Sequence, residues 1–219
     1  MQNKNLFEKL FIKNKSPFLP IIGTSGSGKT TLLNVLFSEN IARGGGGLFI
    51  TDRGADEELQ KILTICKSNK REDEILLLDF ISNDESINVN IQEIVNSNKI
   101  LIINYCGCMD EISVLAKSKI MKILISLIEN CENSKEFMIF YDKSLKQEND
   151  LFISDVSAVI RSTNIQFVVG SQYIADEANS NIAIFLKTNL TEEFEALNPG
   201  QGYILINGKK QKFSFEKVR

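Results

Sequence analysis

Gly23-Thr24-Ser25-Gly26-Ser27-Gly28-Lys29-Thr30 forms a complete G-x-x-x-x-G-K-[ST] pattern. These residue types describe a device for holding phosphate. Glycines let the backbone curl until successive N–H groups point at phosphate oxygens, and the positive end of a following helix adds to the attraction. Lys29 has the charge and reach for the β- and γ-phosphates of a nucleotide, and the Thr30 hydroxyl suits Mg²⁺. Gly23 to Thr31 are therefore the candidate binding residues for ATP. A glycine turn followed by Lys-Thr by chance is the plain alternative. The apolar run before the motif and the helical pattern after it argue against that alternative.

Such a site needs a second acidic group for the magnesium shell, at the end of an apolar strand. Phe137-Met138-Ile139-Phe140-Tyr141-Asp142 supplies one, with Asp142 acting through a water, although an Asp there also suits a turn cap. The next residue is Lys143, where ATPases of this layout commonly carry a Glu to activate water. A charged ammonium donates and cannot accept, so Lys143 does not fill that role. Asp52, ending another apolar run, is a substitute acid if it lies across the site. Gln172 follows a further strand and is placed to sense a γ-phosphate or orient water; a polar residue closing a strand fits the spacing equally well. Arg161 is a candidate finger into a neighbouring subunit, and a solvated helix-end arginine is the plainer reading of that residue alone.

Other chemistries are excluded by composition. The 219 residues contain no His, which removes Ser-His-Asp triads, His-ligated zinc and a His general base. Of the four cysteines, Cys106 and Cys108 lack partners at zinc spacing, so free buried thiols are expected. The formal net charge of -3 disfavours binding to nucleic acid through bulk charge. Apolar runs stay well below the ~20 residues that span a bilayer, and no apolar segment follows the first residues as in a secretory signal. A soluble, cytosolic type of chain is expected.

The elements that must position these residues follow a βα rhythm, as in a mostly parallel sheet within one domain over 1–219. Strands are expected at Phe18 to Ile22, Leu48 to Asp52, Ile75 to Phe80, Ile100 to Tyr105, Phe137 to Tyr141, Ile165 to Gly170 and Ile182 to Leu186. Ile75 to Phe80, apolar at nearly every position, reads as buried on both faces. Helices are expected from Gly28 to Ser38, Asp56 to Ser68, Asp110 to Glu129 and Asp150 to Arg161, with a short one capped by Thr191. Tyr203 to Phe215 reads as a hairpin turning at Asn207-Gly208. Gly44 to Gly47 reads as a flexible surface turn. Lys209, Lys210 and Lys212 read as charges that solvate an edge strand, and Phe11, Phe18 and the other aromatics as core.

Taken in order, these features resemble the nucleotide-binding domain of type IV secretion coupling ATPases, the TraG/TraD type within the FtsK–HerA group of RecA-like motors. The residues that carry the resemblance begin with the phosphate loop, Gly23 to Thr30. Next come the glycine run leading into Phe49-Ile50-Thr51-Asp52-Arg53-Gly54, and Arg71-Glu72-Asp73-Glu74 before Leu76-Leu77-Leu78-Asp79-Phe80. The strand ending at Asp142, the Arg161-Ser162 to Gln172 segment and Asn198-Pro199-Gly200-Gln201-Gly202 complete the set. The resemblance implies an α/β, RecA-like P-loop NTPase fold with helices on both faces of the sheet. It also implies a homo-hexamer with ATP at subunit interfaces, secretion-machine subunits as partners, and DNA or protein substrates. Lys29, Thr30, Asp142 and Gln172 would take the nucleotide roles, and Arg161 would act in trans. Full-length family members sit at the inner membrane through N-terminal helices that this sequence lacks. The Ile81 to Lys99 segment is also shorter than the helical domain the family carries near this point. Two readings follow: a motor ATPase, or a hydrolytically weak nucleotide-binding subunit, which Lys143 favours. A small-molecule kinase is a third, against which stands the lack of an arginine-rich lid segment.

Overall fold

The apolar runs form the centre of a nine-stranded sheet in a computed structural model that describes residues 6–13, 16–51, 56–79, 90–104, 110–130, 137–142, 156, 160, 165–172 and 181–216. The strands are β1 (Phe18–Ile22), β2 (Gly47–Thr51), β3 (Ile75–Asp79), β4 (Ile100–Asn104), β5 (Met138–Asp142), β6 (Gln166–Ser171), β7 (Ile182–Phe185), β8 (Gln201–Ile206) and β9 (Lys209–Ser214). Their spatial order is β3-β4-β2-β5-β6-β1-β7-β8-β9. β3 through β7 run parallel, and β8 and β9 extend the sheet antiparallel. Asn207 and Gly208, with φ of 47° and 77°, make the hairpin turn that the Asn-Gly dipeptide predicts.

Alternation along the strands divides the core into two layers. Leu19, Ile21, Phe49, Ile100, Ile102, Met138, Phe140 and Val168 face α1 (Lys29–Ala42) and α2 (Asp56–Ser68). Leu48, Ile50, Leu101, Ile103, Ile139, Tyr141, Phe167 and Val169 face α3 (Ile91–Asn96) and α4 (Asp110–Asn130). Helices therefore cover both faces, as expected of strands that are buried on both sides. α1 continues a turn past the expected end because Asn40 and Ile41 are buried, so packing carries the helix beyond Ser38. α5 (Glu192–Glu195) starts at Thr191, whose hydroxyl accepts from the Phe194 N–H at 3.4 Å. Of the segment expected to be helical from Asp150 to Arg161, only Val156 and Ile160 are described; both are helical and buried.

Two expectations need correction. The run expected to be buried on both faces is not: β3 (Ile75–Asp79) lies at the edge of the sheet, and Phe80 lies outside the described residues. Among the described residues β3 pairs only with β4, and Leu76 and Leu77 are 36% and 40% exposed. An unbroken apolar run is compatible with either position, and the crossovers alone put this one at the edge. Gly44 to Gly47 is not a loose turn either. Asn40 Nδ2 donates to the Gly46 carbonyl at 3.0 Å, the Asn98 amide donates to the Gly44 carbonyl at 2.5 Å, and Asn98 Oδ1 accepts from the Gly46 N–H at 2.9 Å. Arg71, 9% exposed, donates to the carbonyls of Gly45 at 2.6 Å and Asn98 at 2.7 Å, and also to Glu74. A Cβ on Gly46 would lie 2.9 Å from the Asn98 backbone, so glycine is required there by close approach.

Cys66 is a free, buried thiol on α2, and burial pushes its pKa up to about 11. Cys106, Cys108 and Cys131 lie outside the described residues. No helix is long and apolar enough to cross a membrane, among the described residues. Lys209, Lys210 and Lys212 are exposed on β9, the outermost strand, as expected. Phe11 and Phe18 are core residues, whereas Phe194 stacks at 5.0 Å on Phe185 and tilts against Tyr203, all three only half-buried.

Candidate nucleotide site

The phosphate motif bridges β1 and α1, at the carboxyl ends of the parallel strands, where open α/β sheets hold their ligands. Its entry is fixed from both sides. The Gly23 N–H donates to the Ser171 carbonyl at the end of β6, and the Thr24 N–H donates to Lys187 just after β7, at 3.1 and 2.8 Å. Gly28 caps α1 with φ 98°, a left-handed conformation that glycine adopts without strain. The Phe215 ring covers it, 3.3 Å from where a Cβ would stand. Phe215 is itself tied to the Asn198-Pro199-Gly200-Gln201-Gly202 turn, its N–H donating to the Gly200 carbonyl at 2.8 Å.

Lys29 is 5% exposed, and its ammonium donates to the carbonyls of Gly23 at 2.7 Å and Thr24 at 2.9 Å. The charge is therefore held inside the curve of its own loop. One residue on, Thr30 Oγ1 donates to Asp142 Oδ2 at 2.8 Å across 112 positions of sequence. Asp142 is fully buried at the end of β5. Gly170, its register partner on β6, leaves room: a Cβ there would lie 2.9 Å from Leu33 Cδ1 and 3.5 Å from Asp142 Oδ1. A hydroxyl and a carboxylate side by side are hard oxygen donors of the kind Mg²⁺ takes, usually through one or two protein oxygens with waters and phosphates completing the shell. The residues present fit Mg-nucleotide. No cluster of three or more His, Cys, Asp or Glu that would hold a metal by itself occurs among the described residues.

Gln172 follows Ser171 and is half-buried beside the start of the phosphate loop. Lys143, Arg161 and Asp52 lie outside the described residues. Three further positions at this end of the sheet were not singled out from sequence. Thr51 pairs in register with Asp142 on one side and with Asn104 on the other, and both Thr51 and Asn104 are buried. Glu58 is the third. Its buried carboxylate accepts from Asn34 of α1 at 2.7 Å, joining the helix of the phosphate loop to α2. Thr51 and Asn104, like Asp142, close an apolar run with a polar residue, which is the signal that would have found them.

No protein-family model matches the sequence, and no curated protein matches it. Solved structures match it in shape. VirB4 of Thermoanaerobacter pseudethanolicus aligns with a TM-score of 0.64 over 91% of this chain and 89% of its own, at 10% identity. The genome packaging NTPase B204 of Sulfolobus turreted icosahedral virus 2, solved in complex with ATP-γS, aligns at 0.58 over 92% and 98%, at 11% identity. EssC of Geobacillus thermodenitrificans, in a structure of its ATPases 2 and 3, aligns at 0.50 over 94% of this chain and 38% of its own, at 15% identity. The chain has a RecA-like P-loop ATPase fold. At these identities the fold is what is shared, and the sequence expectation of that fold agrees with it.

Proposed function

We propose that this chain is the ATP-binding motor domain of a type IV secretion coupling-type machine, moving or gating DNA or protein substrates by binding and hydrolysing Mg-ATP at subunit interfaces of a homo-hexamer. The observation that carries the nucleotide part is the 2.8 Å link between Thr30 and Asp142, which unites the phosphate loop with the strand-end acid beside a buried Lys29. Magnesium, when bound, would neutralise charge on the β- and γ-phosphates; Thr30 and Asp142 are the residues that would hold it. Lys29 leaves the Gly23 and Thr24 carbonyls for phosphate oxygens, a stronger, charge-assisted pairing. Gln172 couples the state of the γ-phosphate to β6, and Arg161 reaches the neighbouring subunit's site. The translocation role rests on the ordered motif resemblance, and a fold shared with a genome packaging NTPase is in keeping with it.

The test is phosphate release from Mg-ATP with and without DNA, beside Lys29→Ala and with the solution mass measured. Turnover that disappears in Lys29→Ala is expected. Its absence in a hexamer that still binds nucleotide would overturn the hydrolytic reading. A second reading, a hydrolytically weak binding subunit of the same machine, is favoured by Lys143 beside Asp142. Turnover that appears only in Lys143→Glu would select it.

A further inference from the structure

Asn104 is fully buried, and among the described residues neither Nδ2 nor Oδ1 of its amide has a hydrogen-bond partner. An amide left this way is costly to a fold, and buried polar groups are nearly always paired. Where a fold retains such a group, the reason is commonly functional.

Its position supplies the reason. Asn104 ends β4 as Asp142 ends β5, and both are in register with Thr51 between them. At about 4.8 Å per strand, the backbones of Asn104 and Asp142 stand roughly 10 Å apart. Ile102, Phe49 and Phe140, two residues earlier on the same three strands, all face α1 and α2. By alternation Asn104, Thr51 and Asp142 therefore share the face on which Thr30 meets Asp142. The strand order β1, β6, β5, β2, β4 places Asn104 on the side of Asp142 away from the phosphate loop. A water attacking in line with the leaving group must come from beyond the γ-phosphate, as seen from the loop. Glu58, the other buried acid among the described residues, is already engaged by Asn34 and Lys61.

We propose that the Asn104 amide is a positioning group that orients the attacking water, in a site where the residue after Asp142 is a lysine. This rests on the hydrolytic reading above. Hydrolysis forms a bond from the water oxygen to the γ-phosphorus and breaks that phosphorus from the β–γ bridging oxygen, with the water's proton passing to a phosphate oxygen. An amide takes no proton. Its part is to accept one hydrogen bond from the water and donate another, as side-chain amides do in GTPases.

The experiment is Asn104→Leu, close in shape and apolar, measured for melting temperature, Mg-ATP affinity and turnover. The expected result is a melting temperature raised by about 3 °C or more, because an unpaired buried amide is gone. With it go affinity within threefold of wild type and kcat reduced at least about 30-fold, with KM little changed. Raised stability with unchanged kcat would overturn the proposal, and so would affinity lost in parallel with kcat. If Asn104→Leu does not fold, Asn104→Ala is judged by the same kcat and KM; failure of both to fold makes the amide structural and overturns the proposal. Wild-type protein that binds Mg-ATP without turning it over defeats the hydrolytic reading and this one with it. Turnover that Asn104→Leu leaves intact defeats this one alone.

Discussion

At the amino end of β2, the donors and acceptors of Asn40, Arg71 and Asn98 go to one another's neighbours and to the carbonyls of Gly44, Gly45 and Gly46. At its carboxyl end, five residues away, Thr51 sits between Asp142 and an Asn104 whose side-chain amide has no hydrogen bond among the described residues. Ser27 Oγ in the phosphate loop and Asn34 Oδ1 one helical turn beyond Thr30 are likewise buried without a partner there. Both ends are rich in buried polar groups, yet one closes on itself and the other leaves capacity open. Polar groups that serve the fold are paired within it, and groups that serve a ligand are held ready at some cost in stability.

That contrast breaks most sharply at Lys29. Lys29→Ala is expected to weaken Mg-ATP binding by about 100-fold or more, since a charge-assisted contact to phosphate is lost, while costing the fold only about 1 kcal/mol as the Gly23 carbonyl loses its donor. Calorimetric titration of the nucleotide, with a melting curve beside it, checks both halves. Arg71→Ala should do the reverse. Losing its bonds leaves the buried Gly45 carbonyl and the half-buried Asn98 carbonyl without their donor, at about 2 kcal/mol of stability. Nucleotide affinity should be unchanged, and urea unfolding of the variant reads the loss.

Gly46→Ala sharpens the same point with one methyl group. The Asn98 backbone must move to admit it, and about 1–2 kcal/mol of destabilisation is expected with nucleotide affinity again intact. A smaller effect concerns Cys66, behind the clamp on α2. Its folded pKa is raised to about 11 by burial, above the ordinary value of 9.0. The sign follows: its contribution is fully present below pH 9 and is lost as pH rises toward 11. Unfolding measured across that window should show stability falling in the wild type, and falling less in Cys66→Ala.

How far the sequence reached depends on the range of the contacts. The phosphate loop was legible because one contiguous stretch carries its chemistry, flanked by a strand and a helix. Asp142 was legible as the polar end of an apolar run, and its meeting with Thr30 followed from the chemistry that pairs them. Asp56–Ser68 and the Asn207-Gly208 hairpin were legible from periodicity and turn type. The edge position of β3 was not, because strand order is set by crossovers and leaves no trace in apolar pattern. The clamp on the glycine run was hidden for a related reason. Arg71 and Asn98 are 26 and 52 positions from the carbonyl and amide they hold, so the run by itself shows only freedom of the backbone. Asn104 carried the same signal as Asp142 but no motif to point at it.

The most direct test of the account is the rise in melting temperature on adding Mg-ATP, measured on wild type, Lys29→Ala and Arg71→Ala together. At a ligand concentration of about 100 Kd the wild type should gain about 2.7 kcal/mol, or roughly 5–10 °C for a domain of this size. Arg71→Ala should show the same gain from a lower starting point, and Lys29→Ala at most about 0.4 kcal/mol, roughly 1 °C. A wild type that does not shift, or a Lys29→Ala that shifts as far as wild type, would contradict the assignment of the carboxyl end of the sheet to nucleotide.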